Sequence, residues 1–110
     1  MQVRISSTDY EIRVYEDGFR GYEGIILHQE EAIGLCEGKP SFMWGTLWHE
    51  ILHGILALNG DNELCNDEAF VQRTSNMLYQ VIKDNPHILS EEAFKEAIIK
   101  TMQEEEEETA

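Results

Sequence analysis

The run "TLWHEILHGILAL", Thr46 to Leu58, sets two histidines and a glutamate among bulky apolar residues. A stretch this greasy has to be buried, and a stretch this ionisable has to be given partners. Few folds satisfy both demands. Pro40 and Ser41 make a helix start signal and Asn59-Gly60 a stop, so the segment Phe42 to Leu58 is expected to be one helix.

Set on a wheel at about 100° per residue with His49 at zero, His53 falls near 40°, Thr46 near 60°, Ala57 near 80° and Glu50 near 100°. Leu47, Leu58, Ile51, Trp44, Ile55, Trp48, Leu52 and Leu56 take the arc from roughly 160° to 340°. The polar residues therefore form a single stripe, and that stripe holds no lysine or arginine. An ordinary solvent face would hold several.

Histidines at i and i+4 stand one above the other, about 5–6 Å apart at Cβ, close enough to share one metal ion. Neutral imidazole suits Zn²⁺. Glu50, directly after His49, points to one side of the pair, where it reaches a zinc-held water without ligating the ion. The pattern is H-E-x-x-H, here "HEILH". In that chemistry zinc lowers the pKa of its water towards ~7. Glu50 then acts as general base and returns the proton to the leaving amine. A catalytic zinc takes three protein ligands and keeps one position open. The metzincin continuation is excluded, because the positions of its glycine and third histidine are Leu56 and Asn59. The remaining candidates are Glu63, Asp67 and Glu68. Asp67 projects onto the apolar face of the next helix but also suits a first-turn or capping role. Glu68 lies at the margin of that face beside Ser75 and Tyr79, and is the preferred third ligand.

The rest of the chain reads as α+β. "VRIS" and "YEIRVYE" alternate like strands around the turn "SSTD", "DGFRGYEG" is a loop, and "GIILHQ" and "AIGLCEG" are two more short strands. A small, mainly antiparallel sheet of three or four strands is expected. After the histidine helix, "DNELCND" is a connection, and a second helix runs from about Asp67 to Lys83, ended by "DNP". Ser90 caps a third helix, "EEAFKEAIIKTM". Residues 1–103 are expected to form one domain, and 104–110 a frayed, disordered acidic tail.

The 110 residues carry a formal net charge of −14, which argues against nucleic acid or an anionic membrane as a partner. The opening "MQVRISSTDY" has no apolar core of a signal sequence, and no stretch suits a membrane span, so a cytoplasmic location is expected. Cys36 and Cys65 make neither a disulfide framework nor a CxxC pair and read as reduced thiols, with Cys65 a minor candidate ligand.

"TLWHEILHGIL", followed by "EAFVQRTSNMLYQVIKDNP", resembles the small zincin-like proteins of phages and prophages, distant relatives of the ImmA/IrrE metallopeptidases. The similarity spans roughly Gly24 to Pro86. It implies a minimal zincin fold with His49, His53 and Glu68 as zinc ligands and Glu50 as general base. It further implies a peptide or protein substrate in the host cytoplasm. The attached DNA-binding or substrate-binding domain of larger relatives is missing from the matching region. The rival expectation is a non-catalytic, zinc-stabilised protein that binds a host or phage partner. Three lesser candidates are His28 and Tyr79, as oxyanion stabilisers, and strand "AIGLCEG", as a sheet edge for an extended peptide. His87 reads as a surface residue.

Overall fold

A computed structural model describes residues 1–17 and 21–109. It is α+β, with four strands followed by four helices: β1 (Gln2–Ile5), β2 (Thr8–Tyr15), β3 (Gly24–Leu27), β4 (Ala32–Cys36), α1 (Pro40–Leu58), α2 (Asn62–Cys65), α3 (Glu68–Asp84) and α4 (Glu91–Thr109). Contacts divide the chain into two compact units, Met1–Leu78 and Tyr79–Ala110. No helix among the described residues is long and apolar enough to cross a membrane.

In the first unit the strand order is β1-β2-β4-β3. The β1–β2 and β3–β4 pairings are antiparallel, as expected, but β2 and β4 pair in parallel, Ile12 opposite Ile33 and Val14 opposite Leu35. The β1–β2 turn is the two residues Ser6 and Ser7, with Ser6 in the left-handed region at φ 55°. The parallel pairing follows from burial. "AIGLC" is apolar on both faces, as a strand covered on both sides must be, so it takes the interior position and leaves β3 outside it. This corrects the idea of "AIGLCEG" as a sheet edge. The edges are β1 and β3. The expected loop over "DGFRGYEG" lies partly outside the described residues.

Helix α1 packs on the sheet through Met43, Leu47, Trp48 and Ile51, which meet Ile5, Tyr10, Ile33 and Leu35. Two glycines permit the close approach. A Cβ on Gly54 would lie 2.9 Å from the tips of both Ile5 and Ile26. One on Gly24, at the head of β3, would run into the Thr46 methyl and come within 3.3 Å of Glu50 Cγ. The sheet-facing side of α1 is thus centred near 140° on the wheel, between Glu50 and Leu47. The polar stripe is pressed towards the edge of the sheet. Part of the expected apolar arc turns outward instead, leaving Trp44, Ile55 and Leu58 substantially exposed.

The connection "DNELCND" contains the single turn α2, whose N-cap Asp61 accepts from Leu64 N–H through its carboxylate at 3.3 Å. In the second unit, Ser90 caps α4 as expected, its hydroxyl accepting from Ala93 N–H at 3.1 Å. The glutamates Glu104–Glu108, expected to fray, continue α4 as far as Thr109. Glutamate is a good helix former, and a helix already nucleated by a cap and the Glu91–Lys95 pair (2.9 Å) costs little to extend.

Candidate metal centre

Helix α1 brings His49, Glu50 and His53 into a group whose ligand atoms all lie within 4.8 Å of one another, a group that could hold a metal ion. The geometry is tighter than the spacing alone required. The two Nε2 atoms face each other at 3.2 Å. The carboxylate of Glu68, the first residue of α3, reaches both of them. Its Oε2 is 3.2 Å from His49 Nε2 and its Oε1 is 2.9 Å from His53 Nε2. Asp67 does not join them, because its Oδ1 caps α3 by accepting from Phe70 N–H at 3.0 Å. Glu63 lies in α2 with its side chain exposed.

These separations test whether the residues fit an ion. Ligands at 2.0–2.1 Å around a tetrahedral centre sit about 3.3 Å from one another. The nitrogen–nitrogen separation, 3.2 Å, is near that value, and the Glu68 carboxylate sets one oxygen 3.2 Å from His49 Nε2 and the other 2.9 Å from His53 Nε2. Two imidazoles and one carboxylate are also a donor set that zinc accepts. The residues fit.

The electrostatics agree with the geometry. Burial and the neighbouring His53 hold the His49 pKa below its ordinary value, which favours the neutral, ligating imidazole. Glu50 is only 5% exposed, and burial, helped by the charge of Glu68, pushes its pKa up to about 7. Glu68 is the open side of the cluster, with 70% of its side chain exposed. Three buried polar atoms have no hydrogen-bond partner among the described residues: Trp48 Nε1, His49 Nδ1 and Glu50 Oε2. All three belong to consecutive residues of α1. Such orphans are uncommon in ordinary cores, and two of them are on the candidate chemistry itself.

The raised Glu50 pKa carries a stability consequence in the metal-free protein. A carboxyl group whose folded pKa lies above its unfolded value of 4.5 favours folding below that pH, and loses this contribution as pH rises through about 7. The metal-free wild type should therefore lose about 3 kcal/mol relative to Glu50→Gln between pH 4.5 and the alkaline side of 7. Urea denaturation of both proteins across that range measures it. Parallel pH profiles would show that Glu50 titrates normally.

Cys65 also takes a definite place. Its Sγ lies 3.6 Å from His53 Nδ1, on the ring edge away from the Nε2 cluster, so it is not placed to share an ion with that cluster. Burial and the carboxylates Glu68, Glu50 and Asp61 push its thiol pKa up, keeping it protonated. His28 is exposed, and its Nδ1 shares a 3.2 Å hydrogen bond with the buried Tyr10 hydroxyl, a structural pairing outside the metal group. Tyr79 belongs to the second unit, where the Lys83 ammonium lies 5.7 Å from its ring centroid. His87 is exposed. Sequence reasoning missed the Cys65 contact and the Gly24–Glu50 packing. Neither leaves a periodic signal, since each depends on how a connection or a strand end meets α1.

Comparison with known proteins returns no matching family model, no matching curated protein and no matching solved structure.

Proposed function

We propose that this chain is a zinc-dependent peptidase-like hydrolase, a minimal relative of the ImmA/IrrE zincins acting in the cytoplasm of a phage-bearing host. The observation that carries the reading is the convergence of His49 Nε2, His53 Nε2 and the Glu68 carboxylate at 2.9–3.2 Å, with buried Glu50 beside them. His49, His53 and Glu68 would hold the ion. When bound, zinc supplies Lewis acidity to water and to a carbonyl oxygen. Glu50 takes a proton from the water that attacks the carbonyl carbon, and delivers it to the amide nitrogen as the carbon–nitrogen bond breaks. The products are a carboxylic acid and an amine. A general base is most effective with a pKa near the working pH, and burial moves Glu50 in that direction.

A peptide suits the surroundings. The outer side of β3 is unpaired among the described residues, and its head, Gly24, packs on Thr46 and Glu50. An extended segment could add to that edge and pass the base. The test is digestion of a mixed peptide library by zinc-loaded protein. Cleavage that a chelator removes and zinc restores supports the reading. Zinc-loaded protein that leaves every peptide intact contradicts it.

One observation favours the rival reading of a zinc-stabilised binding protein. Helix α4 exposes Phe94, Ile98, Ile99 and Met102, apolar surface of the kind partners cover. That reading expects zinc to be bound and no peptide to be cut.

A further inference from the structure

We infer that Cys65 is the positioning residue of His53, holding its ring in the tautomer and orientation needed to ligate a metal through Nε2. This role rests on the metal-centre reading above.

An imidazole that gives one nitrogen to a metal carries its proton on the other, and the partner of that proton fixes the ring. For His53 the cluster is on the Nε2 side, so Nδ1 decides the matter. The atom beside Nδ1 is Cys65 Sγ at 3.6 Å, and the same sulfur lies 3.4 Å from the backbone carbonyl oxygen of His53. The protons then balance. In the metal-loaded state Nδ1–H donates to Sγ, while the thiol hydrogen goes to the His53 carbonyl. In the metal-free state the ring proton is on Nε2, where it donates to Glu68 Oε1 at 2.9 Å, and Nδ1 accepts from the thiol. A thiol can do both because it is a donor and an acceptor. Loading the site moves the ring proton from Nε2 to Nδ1 without moving the ring.

The chain builds this contact on purpose-made local structure. Asp61 caps α2 through Leu64 N–H, and its carbonyl accepts from Cys65 N–H at 3.0 Å, so the single turn presents Sγ to the side of His53. His49 has no equivalent, since its Nδ1 is buried without a partner. On the Nδ1 side, then, the His53 ring meets a hydrogen-bonded loop, whereas the His49 ring meets no hydrogen-bond partner.

The test compares zinc affinity, by competition with a chromophoric chelator, in the wild type, Cys65→Ala and Cys65→Ser. Alanine should weaken binding by about 10-fold or more, the usual cost of losing such a partner, and serine should recover most of it. Ring ¹⁵N spectra of the zinc-loaded wild type should show His53 protonated at Nδ1, with that proton in slow exchange. If Cys65→Ala does not fold, the serine variant and the wild-type spectrum still decide the question. Wild-type affinity in Cys65→Ala, or a His53 proton on Nε2 in the zinc-loaded wild type, overturns the role while leaving the metal centre standing. A wild type that binds no zinc removes the metal centre and this role with it.

Discussion

Glu50→Gln is expected to lower peptide hydrolysis by about 10²- to 10⁴-fold, the usual contribution of a positioned general base, while zinc binding stays within a few-fold of wild type. The expectation follows from where Glu50 sits. It is 5% exposed, packed beside Gly24, and one of its oxygens is buried with no partner. Glutamine has the same shape and fits the same space, so the fold and the ligands should be undisturbed. What it lacks is a basic oxygen to receive a proton. Side-by-side digestion of one cleaved peptide, with zinc content measured on the same samples, checks both halves. Activity within a few-fold of wild type would remove Glu50 from the mechanism. Loss of zinc together with activity would instead make Glu50 part of the ligand set.

The second large effect concerns zinc itself. Saturating zinc should stabilise the wild type by about 4 kcal/mol at a thousandfold excess over its dissociation constant, because an ion that binds only the folded state adds its binding energy to folding. His53→Ala should abolish this gain, since it removes a nitrogen that faces both His49 and Glu68. Glu68→Ala should weaken zinc binding but need not abolish it, as its carboxylate is on the open side of the site. Asp67→Ala separates Asp67 from Glu68. Asp67 caps α3, so its loss should cost about 1 kcal/mol of stability and leave the zinc-dependent gain intact. Thermal unfolding with and without zinc reads all four proteins. A His53→Ala variant stabilised as strongly as wild type would place the ion elsewhere.

The histidine helix was legible because its signals are local and redundant: a proline start, an Asn-Gly stop and a polar stripe at helical spacing. The observed helix begins at Pro40, two residues before the expected Phe42, since proline fits the first helical position. The preference for Glu68 over Asp67 as third ligand rests on position on the α3 wheel, and the structure brings the Glu68 carboxylate to both rings. The positions of β1 and β2 followed from alternation and those of β3 and β4 from short apolar runs, but strand order did not. Only long-range packing puts β4 beside β2 in parallel. The wheel grouped Glu50 with the histidines but could not say that the stripe faces inward at the sheet edge, where Gly24 receives it. The glutamate tail was misread because charge alone suggests solvation, whereas the helix propensity of glutamate carries α4 through it.

Zinc K-edge X-ray absorption on the zinc-loaded wild type tests the metal centre most directly. It should show a first shell of nitrogen and oxygen at about 2.0–2.1 Å with the multiple-scattering signature of two imidazoles, and no sulfur. A sulfur shell at about 2.3 Å would make Cys65 a ligand rather than the partner of His53, and the absence of bound zinc would contradict the metal centre altogether.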